Sequence, residues 1–254
     1  MRAIAHDHPF LAPHVDGGFI PFAHRGGTSD SPENTIASFR HAVSLGYRYL
    51  ETDVQLTADG VLVAFHDNDL RRTCGRDARI SELPWSEVAT ARVDGREPIP
   101  LLADLLEEFP TAMINIDAKS DSTVDPLINI LRTTAALDRV CIGSFSHRRL
   151  RRIRQVLGAS VCTSASPPEV VAWVSGRVPR GPSCFQVPVR QGPIPVVTER
   201  SIERATASGR PVHVWTIDQP DEMQRLIDIG VHGIMTDQCH VLRNVSRANS
   251  LWPG

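Results

Sequence analysis

The residues with the clearest chemical potential lie in one stretch, YRYLETDVQLTADGVLVAFHD, at positions 47–67. Glu51 and Asp53 alternate along a predicted strand. Alternate side chains of a strand project from the same face, so the two carboxylates point the same way. The Asp-Gly pair at 59–60 is a strong signal of a hairpin turn. We expect the apolar residues after the turn to pair back along the strand and to carry His66 toward the carboxylates.

Polar residues that are unusual in a hydrophobic core occur near the ends of three other predicted strands. They are His24 and Arg25 after the first strand, Asp117 and Lys119 on the third, and Trp215 on the seventh. The carboxyl ends of parallel strands meet at one end of a barrel, where active sites of that fold lie. We therefore expect these side chains to converge with the two carboxylates on one mouth.

Three carboxylates, those of Glu51, Asp53 and Asp117, would then point into the same space. A single acid near a strand end is more often a helix cap or a surface ion pair. Three converging acids repel one another unless a cation lies between them, and a buried carboxylate without compensation is costly. Oxygen ligands suit Mg²⁺ or Ca²⁺ rather than zinc. The sequence therefore predicts one divalent cation, Mg²⁺ or Ca²⁺, bound by these three residues.

Two histidines and two cations complete the predicted site. Imidazoles that titrate near neutral pH can act as general base and general acid, the roles predicted for His24 and His66. Arg25 and Lys119 would bind the phosphoryl oxygens of a phosphate diester and offset the charge that develops in its displacement. Their alternative role is a salt bridge to the same acids. Trp215 either stacks on the substrate or fills the top of the barrel.

The elements that position these residues follow an alternating pattern. Short apolar runs rich in β-branched residues alternate with segments of helical periodicity, as expected of βαβ units. Eight runs are predicted strands: Phe19–His24, Tyr47–Val54, Met113–Ala118, Val140–Phe145, Ser160–Ser164, Cys184–Pro188, Val212–Ile217 and Gly233–Thr236. Five amphipathic stripes predict helices, at 36–43, 102–109, 127–131, 150–157 and 223–230. The fold class is therefore α/β, a (β/α)₈ TIM barrel.

Three segments are expected to decorate this barrel, which spans residues 19–254. Residues 1–18 are predicted to be an N-terminal extension in which three histidines are solvated: His6, His8 and His14. Residues 67–98 are polar and arginine-rich, and we expect them to form an insertion after strand 2 that packs over the barrel mouth. Residues 241–254 are predicted to be a short terminal cap.

Composition narrows the classes of partner. The chain of 254 residues has a formal net charge of −2 with no basic stripe, which disfavours nucleic acid and charged membrane surfaces. No apolar run approaches the length of a membrane-spanning helix, so no stable membrane insertion is expected. Five cysteines without Cys-x-x-Cys spacing are interpreted as buried thiols rather than disulfides or zinc ligands. A cytoplasmic location is predicted, and the oligomeric state is left open.

Six motifs occur in order and at barrel spacing. They are AHRGG (23–27), PENT (32–35), ETDVQLTADG followed by HD (51–67), NIDAK (115–119), VHVWT (212–216) and GIMTD (233–237). Together they resemble the glycerophosphodiester phosphodiesterase family of metal-dependent (β/α)₈ barrels. The resemblance implies that Glu51, Asp53 and Asp117 are metal ligands, that His24 and His66 are the acid/base pair, and that Arg25 and Lys119 contact phosphate.

The chain departs from the family pattern at two positions. The third metal ligand is more usually Glu and is here Asp117, and the usual acid before the last strand's glycine is here His232. The first departure bears on metal distance or preference. The second bears on the turn that closes the barrel.

The resemblance implies hydrolysis of glycerophosphodiesters to glycerol 3-phosphate and an alcohol. The insertion is arginine-rich, with only Trp85 as a large apolar group, which favours a water-soluble substrate. A lysophospholipase D-like or sphingomyelinase D-like enzyme is the alternative, and an apolar rim around the mouth would mark it. A non-catalytic barrel that binds a phosphodiester is the second alternative. The presence of both histidines argues against that reading.

Overall fold

The computed structural model describes residues 7–252, in which eight parallel strands are each followed by a helix. The strands are β1 Ile20–Ala23, β2 Tyr49–Leu56, β3 Met113–Ala118, β4 Val140–Gly143, β5 Cys162–Thr163, β6 Phe185–Val187, β7 Val212–Val214 and β8 Gly233–Thr236. The helices are α1 Ile36–Ser44, α2 Leu102–Glu108, α3 Val124–Thr133, α4 His147–Leu157, α5 Pro167–Val174, α6 Glu199–Ala207, α7 Pro220–Asp228 and α8 Cys239–Ala248. Short 3₁₀ segments lie at Pro9–Asp16, His24–Gly26, Ile80–Glu82, Asp121–Thr123, Leu137–Arg139 and Gly158–Ser160.

The strands close into a barrel. The hydrogen-bonded order is β5-β4-β3-β2-β1-β8-β7-β6. A parallel bridge between Ser164 and Cys184 joins the two ends of this series, next to β5 and β6. The predicted (β/α)₈ fold is confirmed. All eight predicted strands are present, and β3 and β8 have the predicted bounds.

The helices pack their apolar faces on the outside of the sheet, as the stripes predict. Leu102, Leu105, Leu150 and Ile153 are at most 1% exposed. One stripe position is wrong, because Val43 of α1 is 41% exposed and the buried face runs through Phe39.

Three of the eight helices that follow the barrel strands, α5, α6 and α8, were not predicted. The segment predicted as a terminal cap contains α8. The buried faces of α5, α6 and α8 include polar or small residues, namely Glu169, Ser201, Ala205 and Ser246. They therefore lack a continuous apolar stripe. Among the described residues, no helix is long and apolar enough to cross a membrane.

The predicted hairpin is confirmed. Strand Leu62–Ala64 pairs antiparallel with β2, with Val54 opposite Ala64. Gly60 in the turn has φ 84°, a value that glycine adopts without strain. The hairpin brings residue 66 back beside β2, where the backbone N–H of Phe65 donates to the carbonyl of Asp53 at 2.9 Å.

The segment between this hairpin and α2 folds around its own small core. It contains helices Arg71–Cys74 and Trp85–Val88 and an antiparallel pair, Arg92–Val93 with Glu97–Pro98. Its buried apolar residues are Val63, Phe65, Leu70, Ile80, Val88, Ala91, Val93 and Ile99. A second small hairpin, Arg190–Gln191 with Ile194–Pro195, follows β6.

The segment before β1 packs against the amino end of the barrel. Phe10 and Leu11 have no exposed surface, and the ring of Phe10 meets that of Tyr49 edge-on at 5.2 Å. The prediction that the N-terminal histidines are solvated is wrong for His8 and His14, which are 8% and 0% exposed. They lie on a segment that covers the apolar barrel interior, so they are buried with it. His6 lies outside the described residues.

Candidate active site

The predicted carboxylates lie at the carboxyl ends of β2 and β3, which are neighbours. Asp53 and Asp117 are opposite each other in the register of the two strands, and Glu51 is one inward position earlier. Glu51 and Asp53 are 5% and 2% exposed. Strand alternation therefore places all three acids on the inner face of the barrel, as predicted.

Two cations lie among these carboxylates. Nζ of Lys119 is 2.7 Å from Oδ1 of Asp53 and 2.7 Å from Oδ2 of Asp117. Nε of Arg25 is 3.2 Å from Oδ2 of Asp53, and its backbone N–H donates to Oε2 of Glu51 at 3.1 Å. The alternative role weighed for these residues, a salt bridge to the same acids, is thus present in the structure.

The pKa values of the three acids diverge because their surroundings differ. Burial, reinforced by the charge of Asp53, raises the pKa of Glu51 to about 7. Burial would also raise the pKa of Asp53, but Lys119 and Arg25 hold it below its ordinary value. Burial raises the pKa of Asp117 against the opposing effect of Lys119. Glu51 and Asp117 are therefore the least compensated carboxylates of the site.

His24 is held by a carboxylate that sequence reasoning gave no role. Its Nδ1 lies 2.8 Å from Oδ1 of Asp237, and its Nε2 lies 3.7 Å from Oε2 of Glu51. Burial alone would lower the pKa of His24, but Glu51 and Asp237 together raise it above its ordinary value. Since the carboxylate of Asp237 accepts the Nδ1 proton, Nε2 is the nitrogen available to a ligand.

His66 has the same arrangement with a different partner. Its Nδ1 lies 2.6 Å from Oδ1 of Asp67, and Asp67 in turn accepts from Nε of Arg72 at 2.6 Å. His66 directly follows Phe65, whose backbone N–H donates to the carbonyl of Asp53, so the hairpin carries the imidazole alongside β2. Lys119, with a smaller contribution from His66, opposes the effect of burial on the pKa values of Asp53 and Asp117. The structure thus brings both predicted histidines to the edge of the carboxylate group.

The turn after β1 owes its glycines to packing. Arg25 adopts a left-handed conformation with φ 51°, and Gly26 and Gly27 have φ values of 86° and 82°. A Cβ on Gly26 would lie 2.3 Å from Oγ of Ser38, and one on Gly27 would lie 2.5 Å from Sγ of Cys239. A plain turn therefore accounts for both glycines, without a ligand close to the backbone.

Aromatic side chains lie at the rim. Trp215 follows β7, is partly buried and packs against the buried apolar residues inside the barrel. Its ring meets that of Phe145 edge-on at 5.7 Å. Phe145 follows β4 and is 67% exposed. Trp85, the large apolar group of the insertion, packs against the insertion's own core.

The carboxylate oxygens of Glu51, Asp53 and Asp117 are not arranged around a single common centre in this structure. Within residues 7–252, the three acids do not form a group whose ligand atoms all lie within 4.8 Å of one another, and Lys119 occupies the space between Asp53 and Asp117. Oδ1 of Asp117 is buried and accepts no hydrogen bond. An unpartnered buried carboxylate oxygen suits a hard cation.

Comparison with known proteins places this site in context. Residues 24–241 match the model of the glycerophosphoryl diester phosphodiesterase family. The chain belongs to the glycerophosphoryl diester phosphodiesterase family. A relative from Mycobacterium tuberculosis, named "Probable glycerophosphodiester phosphodiesterase 2", is 40% identical over 249 residues, which cover 94% of each chain. Family membership confirms the resemblance drawn from the six motifs and the prediction of a phosphoric diester hydrolase.

Solved structures agree on the fold. A glycerophosphodiester phosphodiesterase from Parabacteroides distasonis has a TM-score of 0.76 at 22% identity, over 92% of this chain and 98% of its own. A phosphodiesterase from Oleispira antarctica, solved in complex with the product sn-glycerol-3-phosphate, has a TM-score of 0.77 at 20% identity. The match covers 91% of this chain and 98% of that one.

The departure from the family pattern at His232 lies far from the mouth. Its backbone carbonyl accepts from Ile20, its N–H donates to Val212, and its Nδ1 accepts from the N–H of Val212 at 3.2 Å. These contacts join β8 to β1 and β7 at their amino ends. His232 therefore closes the barrel and does not shape the mouth.

Sequence reasoning missed the residues that hold the site together. Asp237 and Asp67 orient the two histidines, as described above. Glu33 binds Arg25 at 3.1 Å and Arg72 at 2.6 Å, and Asn34 donates to Oδ2 of Asp53 at 3.2 Å. Most lie within motifs that were quoted for the resemblance without a role, PENT and GIMTD. The signal for each was a polar residue inside a quoted motif, and Asp67 also directly follows the predicted His66.

Proposed function

We propose that the carboxyl end of this barrel is a metal-dependent site that hydrolyses glycerophosphodiesters to glycerol 3-phosphate and an alcohol. The observation that carries the proposal is the pair of histidines, each with its own carboxylate, beside three buried acids. The Oleispira antarctica structure with bound glycerol 3-phosphate supports a product of this kind. The 40% identical relative, by its name, supports the substrate class.

Glu51, Asp53 and Asp117 would hold the divalent cation, Mg²⁺ or Ca²⁺. The residues fit a hard cation because Oδ1 of Asp117 is buried without a partner and the pKa of Glu51 is raised to about 7 by burial. When bound, such a cation polarises a phosphoryl oxygen and lowers the pKa of a nearby hydroxyl. Part of the charge of Asp53 and Asp117 is already offset by Lys119.

The two histidines would carry protons. The Nδ1–H of each ring donates a hydrogen bond to a carboxylate, that of His24 to Asp237 and that of His66 to Asp67, so each ring presents Nε2. One Nε2 accepts the proton of the nucleophile, and the other protonates the leaving alkoxide. The paired carboxylates fix the tautomer and orientation of each ring.

Arg25, Lys119 and Trp215 would contact the substrate. The guanidinium and ammonium groups are suited to the phosphoryl oxygens, and both side chains are held in place by the acids they pair with. Trp215 would contact the glycerol or the alcohol at the rim.

Turnover of glycerophosphocholine with Mg²⁺ tests this function directly. We expect stoichiometric release of glycerol 3-phosphate and choline by the purified chain. The His240→Ala variant, which changes an exposed histidine of α8, serves as a matched control and should be as active as the original protein. Release of glycerol with phosphocholine, or no release at all, would contradict the proposed cleavage.

Phe145 favours a second candidate, a lysophospholipase D-like activity. It is 67% exposed and packs edge-on against Trp215, so two aromatic rings make part of the rim apolar. If lipids are substrates, Phe145→Ser should lower activity toward lysophosphatidylcholine and leave activity toward glycerophosphocholine unchanged. Equal effects on both substrates would remove this candidate.

A further inference from the structure

Three cysteines meet in the interior of the barrel, on three successive strands. Cys141 and Cys162 are opposite each other in the register of β4 and β5, and Cys184 directly precedes β6. Their Sγ atoms all lie within 4.8 Å of one another, and none of the three has exposed surface. We refer to these three residues as the thiol cluster.

The spacing within the thiol cluster matches that of a shared metal ligand set. Sγ of Cys141 and Sγ of Cys184 are 3.8 Å apart. A tetrahedral zinc ion with Zn–S bonds of about 2.3 Å places its sulfur ligands about 3.8 Å apart. Nε2 of Gln186 lies 3.9 Å from Sγ of Cys141, and a weak N–H donor of this kind stabilises a thiolate.

A histidine beside the thiol cluster has its ligand nitrogen defined by a chain of hydrogen bonds. Nδ1 of His14 lies 3.0 Å from the carbonyl of Gly18, which can only accept, so Nδ1 of His14 carries the proton. His14 has no exposed surface, and burial disfavours a charged imidazole, so this ring is neutral and its Nε2 is an acceptor. Nε2 of His213 lies 2.9 Å away and must donate, which leaves the lone pair of His213 on Nδ1.

His213 is joined to the thiol cluster through Gln186. Nδ1 of His213 is 3.5 Å from Nε2 of Gln186, the same amide nitrogen that approaches Cys141. Metal-binding histidines characteristically donate their other ring N–H to a fixed acceptor, as His213 does to His14.

We infer that the three thiolates of the thiol cluster bind one buried structural Zn²⁺ ion, and that His213, which lies outside the group of mutually close sulfur atoms, turns its Nδ1 toward the ion as the fourth ligand. Binding releases three thiol protons, and the long contact from Gln186 to His213 is exchanged for a metal–nitrogen bond. Three thiolates and a neutral imidazole leave a net charge of −1 around Zn²⁺. The same ligands around Cu⁺ would leave −2, which is costlier in an apolar interior. Mg²⁺ and Ca²⁺ prefer oxygen ligands, so this site and the carboxylates of the mouth select different metals.

The metal content of the intact protein tests this site. The full chain is produced in medium supplemented with Zn²⁺, dialysed in its native state against EDTA, and analysed by mass spectrometry for metals. We expect about one Zn²⁺ per chain, retained until the protein is unfolded, because the site has no exposed ligand. Protein produced with Co²⁺ instead should show thiolate-to-cobalt charge-transfer absorption. Zinc bound at the mouth or at the exposed group Asp30, His41 and His240 has no sulfur ligand, and cobalt there gives no such band.

Substitutions locate the metal. Cys162→Ser should lose the bound zinc and the cobalt band, whereas Cys239→Ser, which changes a buried thiol elsewhere, should keep both. His14→Phe removes the acceptor of His213 and should weaken zinc affinity by about 10- to 100-fold. If Cys162→Ser fails to fold, the zinc stoichiometry and the cobalt spectrum of the unchanged chain are sufficient to test whether the thiol cluster binds metal.

Two results would overturn the inference. One is the unchanged chain retaining less than about a tenth of an equivalent of zinc, with no thiolate–cobalt band. The other is metal-free protein in which Cys141 and Cys184 form a disulfide when it is isolated without reductant.

Discussion

The two ends of the barrel interior are built from the same strands but present different atoms. At the carboxyl end, Glu51, Asp53 and Asp117 place oxygen atoms beside Lys119 and His24. At the amino end, the inward side chains are apolar or soft, with Phe10, Phe22, Tyr49 and Met235 packed around the thiol cluster. Tyr49 and Asp53 project from the same face of β2 only four residues apart, about 13 Å along the strand.

The difference lies in how each end handles charge. The carboxyl end keeps its charges by pairing them, as Lys119 does between Asp53 and Asp117. The amino end keeps two imidazoles neutral: burial holds the pKa of His14 well below its usual range and lowers the pKa of His232 to about 3. One alternating strand pattern thus supports a polar reactive layer and, two inward positions below it, a structural layer of apolar, thiol and imidazole side chains. Substitutions at the two ends should therefore affect different properties.

The largest expected effect concerns the nucleophile, which we expect to be the glycerol 2-hydroxyl of the substrate. The glycerol 2-hydroxyl lies one carbon from the esterified oxygen, and well-oriented intramolecular attack is worth about 7–11 kcal/mol of barrier. A 2-deoxy analogue of glycerophosphocholine should therefore lose about 10⁵-fold or more in kcat/KM, and a cyclic phosphate should precede glycerol 3-phosphate. The control is the analogue that lacks only the terminal hydroxyl, which should lose far less. Equal kcat/KM values for the 2-deoxy analogue and the parent would favour direct attack by water.

Removing either histidine of the mouth should have the next largest effect. His24→Ala and His66→Ala should each lower kcat by about 10²- to 10⁴-fold while the fold is retained. The variant that lacks the general acid should recover much of its activity on a p-nitrophenyl diester of glycerol phosphate, because that leaving group needs no proton. If His66→Ala turns over glycerophosphocholine normally, His66 has only a structural role.

The smallest expected effect is at the amino end and concerns stability alone. The pKa of His232 is about 3 when folded, mainly because of burial, and about 6.5 when unfolded. Above pH 6.5 the imidazole is neutral in both the folded and the unfolded state, so its depressed pKa does not change the free energy of unfolding. As the pH falls below 6.5, the unfolded state binds the proton and the free energy of unfolding decreases.

The slope of this decrease should be at most about 1.4 kcal/mol per pH unit between pH 6.5 and 3. His232→Asn, whose amide oxygen can accept the Val212 N–H, should lack this component and keep its kcat/KM at pH 7. Urea denaturation at a series of pH values measures the slope. Identical slopes for the two proteins would show that His232 is not held neutral.

The sequence predicted the positions of the site but not its contacts. Strand alternation sufficed to place Glu51, Asp53 and Asp117 on one face, since that pattern is local. The position of Lys119 between two of them, and the bond from His24 to Asp237, depend on how the strands tilt and on which ends meet when the barrel closes. The proximity of the three cysteines of the thiol cluster was not predicted for the same reason, because they come from three different strands.

Polar burial explains the remaining misses. His14 was predicted to be solvated because histidine in a polar segment usually is, yet it is paired with Gly18 and His213 inside the barrel. Helices α5, α6 and α8 bury polar side chains, and in α5 and α6 these make hydrogen bonds within or next to the helix. One example is Ser166, which binds Glu169 at the start of α5 at 2.7 Å. Buried polar positions of this kind interrupt the helical periodicity of apolar residues on which the prediction of helices relies.

The central claim is that the carboxylates of the mouth bind an oxygen-preferring cation that hydrolysis requires. The direct measurement is turnover of glycerophosphocholine in excess EDTA, followed by addition of Mg²⁺ or Ca²⁺. We predict that EDTA abolishes activity and that either cation restores it, while any zinc at the thiol cluster stays in place. Full turnover in excess chelator would contradict the account.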